Sequence, residues 1–222
     1  MTPNEKSKVL SEALPYIKKF FGKTIVIKFG GNAMVDKKLK QSFAKDLVLL
    51  KLVGMNPVII HGGGPQINDS LDKYGKKTIF EQGIRVTDEE TMKIVANVLN
   101  DINKQIVSLI KENGGEASSY SNKETSGIIK AKKIKVDKNS VDLGYVGEIV
   151  SIDPSFMKEL KDSGVIPIIA PIGMGDDNKI YNINADVVAS KVAEVLNAEK
   201  LVLMTNTKGV LDKKNNLISS LI

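Results

Sequence analysis

The chain of 222 residues is 42% hydrophobic and 26% charged, enough apolar material for one large domain or two small ones and unlike a disordered segment. It has no cysteine, which excludes disulfides and thiolate metal sites, and it lacks both a signal-peptide pattern and the ~20 uninterrupted apolar residues of a membrane span. The net charge of +6 does not read as a nucleic-acid surface: of 32 basic residues one is arginine, the lysines are scattered in pairs such as Lys18-Lys19, Lys76-Lys77 and Lys132-Lys133, and aromatics are only 5%. The expectation is a soluble, cytoplasmic protein with no nucleic-acid or membrane partner, whose lysine surface attracts small anions.

In chain order, Leu10, Leu14, Ile17 and Phe21 form a helical stripe widened by Val9, Ala13 and Phe20, with Pro15 expected to kink it. Such a stripe packs either on its own domain or against the same helix of another subunit. Thr24 to Phe29 is a short apolar strand; Leu39, Phe43, Leu47 and Leu50 recur at helical spacing until Gly54; Pro57 to His61 is a second strand, with a helix opening at Pro65. Thr87 and Glu90 fit a capping box before a long helix that turns Ile94, Val95, Val98, Leu99, Ile102 and Ile106 to the core and ends at Asn113-Gly114-Gly115. From Ala117 to Ile152 the pattern changes to a β-rich excursion, with short runs at Ile128 to Val136 and Tyr145 to Ile152. Val165 to Ala170 and Leu201 to Thr205 are again buried-strand patterns, separated by a helix from Val187 to Leu196. The alternation predicts an α/β fold: a three-layer αβα sandwich around a mainly parallel sheet.

Two glycine loops follow predicted strands. In Lys28-Phe29-Gly30-Gly31-Asn32 a lysine precedes backbone that can approach an anion without a Cβ in the way. In His61-Gly62-Gly63-Gly64-Pro65 the glycines lead into a helix whose free N–H groups and positive end suit an anion. Each loop alone could be a tight turn, and neither the P-loop pattern G-x-x-x-x-G-K-S/T nor a dinucleotide-binding G-x-G-x-x-G occurs. Two loops at strand ends of one α/β sheet favour anion binding. The single histidine, His61, lacks partners for a metal or a triad and reads as structural. The single arginine, Arg85, stands in Gly83-Ile84-Arg85-Val86-Thr87; it is either a surface ion pair or a planar fork required to grip a carboxylate. In Asn182-Ile183-Asn184-Ala185-Asp186, Asn184 suits an N-cap, placing Asp186 in the first helical turn; it gains chemical meaning if it faces the lysine and glycine loops.

These motifs, with His61-Gly62-Gly63-Gly64-Pro65-Gln66 and Leu143-Gly144-Tyr145-Val146-Gly147-Glu148, resemble in order and separation the successive motifs of acetylglutamate kinases, and the likeness covers nearly the whole chain. The resemblance implies the amino-acid kinase fold, similar to carbamate kinase, and transfer of the ATP γ-phosphoryl group to the side-chain carboxylate of N-acetyl-L-glutamate in arginine biosynthesis. It implies Lys28 and Asp186 as catalytic residues, Gly63, Gly64, Arg85 and Asn182 on the substrate, and Gly30, Gly31, Asn206 and Gly209 on phosphate or nucleotide. Mg2+ would arrive with ATP, with no protein metal site. Residues 1–22 resemble the interlacing helix of hexameric, arginine-sensitive members, with arginine feedback; residues 23–180 correspond to the acetylglutamate-binding part, and 181–222 begin an ATP-binding part. Related kinases of photosynthetic organisms bind a PII protein, a partner no residue here identifies.

Two departures qualify the resemblance. The family usually has aspartate where Asn206 stands, and a neutral amide neither pairs with a lysine nor repels phosphate. Members also continue beyond Ile222 with a second catalytic lysine, so the sequence reads as a C-terminally truncated piece, its apolar end at Leu217 to Ile222 leading toward a further element. The alternatives are another amino-acid kinase, or a module that binds acetylglutamate without transferring phosphate.

Overall fold

The computed structural model describes residues 1–121, 128–135, 141–155 and 163–220. Helix α1 (Pro3–Phe20) begins in a capping box between Thr2 and Glu5 and is one element through Pro15. None of its residues is fully buried: Phe20 packs on the main core and Ala13 and Ile17 are half-buried, while Val9, Leu10, Leu14 and Phe21 are exposed, Leu10 at 70%, so the body of its own domain covers only part of the apolar stripe.

Strands β1 (Thr24–Phe29), β2 (Asn56–His61), β5 (Ala117–Tyr120), β8 (Ile166–Ile169) and β11 (Lys200–Leu203) form one parallel sheet in the order β11-β1-β2-β8-β5. Successive side chains of a strand face opposite sides, which explains the unbroken apolar runs of a sheet covered on both faces. Ile25, Ile27, Phe29, Ile59 and Ile168 face a core shared with α2 (Lys37–Leu52), α3 (Gly64–Lys73) and α4 (Glu89–Glu112), where the Phe29 and Phe43 rings stack at 4.0 Å. Val26, Val58, Ile60 and Ile169 face the other side and meet Val188, Ala189 and Val192 of α5 (Ala185–Val195). Helices thus lie on both faces of the sheet, as the alternation predicted.

Only part of the expected excursion leaves the main sheet: Ala117–Tyr120 belongs to the main sheet as β5, whereas β6 (Ile129–Lys133) and β7 (Gly147–Ile152) join β9 (Ile172–Met174) and β10 (Ile180–Asn182), from beyond the expected range, in a second sheet on the α5 side in the order β10-β9-β6-β7. Val136, read as the end of one run, and Leu221 and Ile222, read as an interrupted end, lie outside the described residues. Strands β3 (Phe80–Glu81) and β4 (Ile84–Arg85) form a small hairpin whose two turn residues, Gln82 and Gly83, both have positive φ, at 50° and 80°.

Two local expectations change. The run at Leu201 to Thr205 reads as a buried strand, yet Leu201, Val202 and Leu203 are exposed; among the described residues β11 pairs with β1 alone, at the edge of the sheet. The Thr87–Glu90 capping box is replaced by Asp88 as N-cap of α4, its carboxylate accepting the Thr91 N–H at 2.7 Å. Thr87 is instead buried, donating its hydroxyl to the Arg85 carbonyl at 2.9 Å. Lys76 bridges Asp88 at 3.0 Å and Glu90 at 2.7 Å, tying the loop after α3 to the head of α4.

The Thr91 hydroxyl and N–H, and then Lys76, hold the Asp88 carboxyl down to about 2. An unfolded aspartate titrates near ~3.9, so the stability carried by ionised Asp88 is fully present above about pH 4 and is lost as pH falls through about 2. A carboxyl-carbon NMR titration should place the Asp88 midpoint near 2, and a midpoint at the unfolded value contradicts the cap.

Candidate active site

Parallel strands in register end together. Phe29 pairs with His61, and the Gly62 N–H continues the ladder to the Phe29 carbonyl at 2.9 Å, so the glycine loops after β1 and β2 lie side by side at the C-terminal edge. In α/β sheets ligands collect at this edge. Gln66, in the first turn of α3, ties the loops together by donating Nε2–H to the Met34 carbonyl at 3.0 Å, within the 3₁₀ turn Gly31–Met34.

Lys28 alternates with Phe29 and therefore shares the α5 face with Val26. There its Nζ lies 3.1 Å from Asp186 Oδ1, with the lysine side chain 14% and the aspartate 52% exposed. Asn184 caps α5 as expected, accepting the Asp186 N–H at 2.8 Å, and this places Asp186 in the first turn. A Cβ at Gly30 would stand 2.8 Å from Lys28 Nζ, so glycine here leaves room for the ammonium to lie along its own loop. Gly31 needs its glycine twice over, with φ +67° and a Cβ direction that runs into Asn206 Oδ1. Asn206 thus closes the first loop from the β11 side.

Arg85 is no surface ion pair, which corrects one of the two sequence readings. It is 7% exposed, and among the described residues no carboxylate is paired with it. Nη2 donates to Asn68 Oδ1 at 2.7 Å and to the Gly64 carbonyl at 3.4 Å, and Nη1 to Thr78 Oγ1 at 3.3 Å. The guanidinium also lies 4.8 Å from the centre of the Phe80 ring. Burial lowers its pKa, as expected for a cation with neutral neighbours.

Asn182 donates Nδ2–H to Thr87 Oγ1 at 3.5 Å, and its own N–H goes to the Tyr145 carbonyl at 2.9 Å. Thr87 exchanges backbone bonds with Leu143 and Tyr145, at 2.9 and 2.6 Å, hooking the 143–146 segment between the arginine hairpin and β10.

The contacts therefore run as a chain along one edge. Asn206 meets Gly31, Lys28 lies on Gly30 and pairs with Asp186, Asn182 precedes that helix and meets Thr87, and Arg85 reaches Gly64. Gly63 differs from its expected role as simple open backbone: a Cβ there would stand 2.8 Å from Leu99 Cδ2, so glycine also lets the loop press on α4. Gly64 opens onto free space, and α3 starts there as its first residue rather than at Pro65. Gly209 is not brought into the chain; its recorded neighbour is Leu217. Asn68, Thr78 and Thr87 were missed by sequence reasoning. The signal for Asn68 was its spacing of four from Gly64, which puts both on one face of α3.

His61 is fully buried and structural, as read. Its Nδ1 lies 2.7 Å from the Gly62 carbonyl and its Nε2 meets Asn103 Oδ1, while Asn103 donates to Ser119 Oγ and the Ile168 carbonyl. Burial lowers the imidazole pKa, and the bonds to Gly62 and Asn103 oppose that shift.

The amino acid kinase family profile matches residues 23–221. An acetylglutamate kinase of Methylobacillus flagellatus is 59% identical over 99% of this chain and 76% of its own length; one of Azoarcus sp. is 58% identical over 100% and 76%. The chain belongs to the acetylglutamate kinases. It spans about three quarters of the length of those relatives. Among solved structures, an N-acetylglutamate synthase from Neisseria gonorrhoeae complexed with coenzyme A and N-acetyl-glutamate is 25% identical, with TM-score 0.82 over 94% of this chain and 47% of that one. Carbamate kinase from Giardia lamblia bound to AMP-PNP, 18% identical with TM-score 0.58 over 84% and 72%, shares the fold. As a member of this family the chain is a phosphotransferase of amino-acid biosynthesis with ATP as co-substrate, and none of its described helices is long and apolar enough to cross a membrane.

The kinase edge depends on Gly144. Its φ is +71°, and a Cβ would run into the Thr87 carbonyl. Gly144→Ala should cost ~1–3 kcal/mol of stability and move Thr87 off Asn182. Urea unfolding checks this, and an unchanged midpoint argues against the hook.

Proposed function

We propose that this kinase phosphorylates the side-chain carboxylate of N-acetyl-L-glutamate at the edge where its two glycine loops meet. The observation that carries this reading is the buried Arg85, whose partners among the described residues are all neutral. A desolvated guanidinium without an anion is costly, so it is suited to a carboxylate that arrives with the substrate. Arg85 grips the substrate α-carboxylate beside Gly64, and Asn182 hydrogen-bonds the substrate across Thr87.

The side-chain carboxylate, already ionised at neutral pH, attacks the γ-phosphorus of ATP; the bond to the β–γ bridging oxygen breaks and ADP departs with that electron pair. No proton has to move. Lys28, held by Asp186, neutralises charge on the transferring group, and the N–H groups of Gly30, Gly31, Gly63 and Gly64 donate to its oxygens. Asn206 and Gly209 belong to the nucleotide side, and Mg2+ enters on the ATP phosphates. Residues 23–180 serve acetylglutamate and the segment from 181 begins the nucleotide part, a division of labour along one sheet, since β11 pairs with β1. The uncovered part of the α1 stripe docks on the same helix of a second copy, in the manner of hexameric, arginine-inhibited members, and the enzyme works in the cytoplasm.

ATP turnover with N-acetylglutamate, trapped by hydroxylamine as the hydroxamate, tests the assignment, with glutamate, aspartate, carbamate and UMP as competitors. Preference for any competitor overturns it, and calorimetric binding of acetylglutamate without turnover reduces the chain to a binding module. Arg85→Lys keeps the charge and loses the fork, so it should weaken acetylglutamate binding by ~1–3 kcal/mol. Unchanged affinity removes Arg85 from the substrate.

A further inference from the structure

We infer that Asn68 is a specificity-determining positioning residue: it aims the Arg85 guanidinium and, by carrying no charge, leaves that cation free to select a ligand with an α-carboxylate. This rests on the reading that Arg85 grips the substrate α-carboxylate. Asn68 stands in α3, four residues after Gly64, and is half-buried. Its Oδ1 accepts from Arg85 Nη2 at 2.7 Å, a shorter bond than those of the guanidinium to Thr78 Oγ1 at 3.3 Å and to the Gly64 carbonyl at 3.4 Å.

The orientation of the amide is forced by its partner. A guanidinium only donates, so the oxygen of Asn68 and not its NH2 group faces Nη2. The Thr78 hydroxyl accepts from Nη1 and donates to the same Oδ1 at 3.4 Å. Three side chains thus close a ring of hydrogen bonds in which every proton has one acceptor.

Negative charge is what this ring lacks. Aspartate has the same shape as asparagine and would hold the guanidinium by a charge-assisted bond, stronger than the amide's. It would also pair with Arg85 at a position only 7% exposed, where solvent screens little. The next residue, Asp69, is exposed, so one step along the helix turns a carboxylate to water while the neutral amide meets the arginine. A side chain serving only as a strut would do better as aspartate. The amide gives up bond strength and keeps the charge of Arg85 for a ligand.

Two ligands and two substitutions test this by calorimetry: N-acetyl-L-glutamate, and its analogue in which the α-carboxylate is a carboxamide. The wild type should prefer the acid by about tenfold or more. Asn68→Asp should weaken acetylglutamate binding by about tenfold or more and leave the carboxamide within about threefold, erasing the preference. The carboxamide keeps the side-chain carboxylate, so simple repulsion by an added charge weakens both ligands. Asn68→Ala loses the aim and adds no charge, so it should bind acetylglutamate about three- to tenfold more weakly and still prefer the acid. Unchanged acetylglutamate affinity in Asn68→Asp makes Asn68 a strut and overturns the proposal, as does equal weakening of both ligands. A wild type without preference removes the α-carboxylate from Arg85, and the proposal falls with that reading; a preference that Asn68→Asp retains overturns the proposal alone. Should Asn68→Asp fail to fold, Asn68→Ala decides: unchanged acetylglutamate affinity overturns the proposal, and weaker binding that keeps the acid preference supports it.

Discussion

The parallel register of β1 with β2 is the constraint on which the rest depends. Thr24 to Phe29 pair residue for residue with Asn56 to His61, so the two strands end at one level and their glycine loops emerge together. A slip of one residue would turn every β1 side chain to the opposite face. Lys28 would then leave Asp186 and enter the Phe29–Phe43 side, while Phe29 would be pushed toward α5. The two apolar faces that stabilise the sheet thereby also fix where the lysine stands.

The electrostatics of the edge are divided between two cations in different settings. Lys28 has a carboxylate partner that is half exposed, and the pair can rearrange around an incoming phosphate at moderate cost. Arg85 has three neutral acceptors and a ring face, an arrangement that orients the guanidinium while leaving its charge uncompensated. The supports of Arg85 come from separate elements: Asn68 from α3, Thr78 from the following loop, and Phe80 from the hairpin. Lys76 ties that loop to α4 through Asp88 and Glu90, so the cap of one helix also steadies the arginine's surroundings. Gly144 serves the same assembly by letting its segment lie against Thr87.

Much of this was legible along the chain. Unbroken apolar runs bounded by glycine, asparagine or proline marked the strands, because a sheet covered on both faces buries successive side chains, and the helical spacing of Leu39, Phe43, Leu47 and Leu50 marked α2, which buries Phe43 and Leu47 and leaves Leu39 exposed. Asn184 and Asp186 were readable as cap and first turn, since a cap bonds within three residues. Thr87 misled for a related reason: a threonine three before a glutamate satisfies the capping pattern, but Asp88, one residue on, caps the helix through the Thr91 N–H while the Thr87 hydroxyl donates to the Arg85 carbonyl. The exposure of β11 could not be seen either, because an apolar run carries no record of which neighbours cover it.

The sequence by itself determined the main strands and helices, the two glycine loops and the single arginine, all consequences of local periodicity, local turn chemistry and composition, whereas the short strands β3, β4, β9 and β10 left no such mark. Tertiary structure alone decided that Arg85 is buried among neutral acceptors, that Lys28 meets Asp186, that Gly31 abuts Asn206 and that His61 is anchored to Asn103 and Gly62. Most of these contacts join residues far apart in the chain, and their distances follow from strand register and helix packing rather than from any short segment. A lone arginine in the sequence is equally compatible with a surface ion pair and a carboxylate clamp. Its burial away from every described carboxylate removes the first of these.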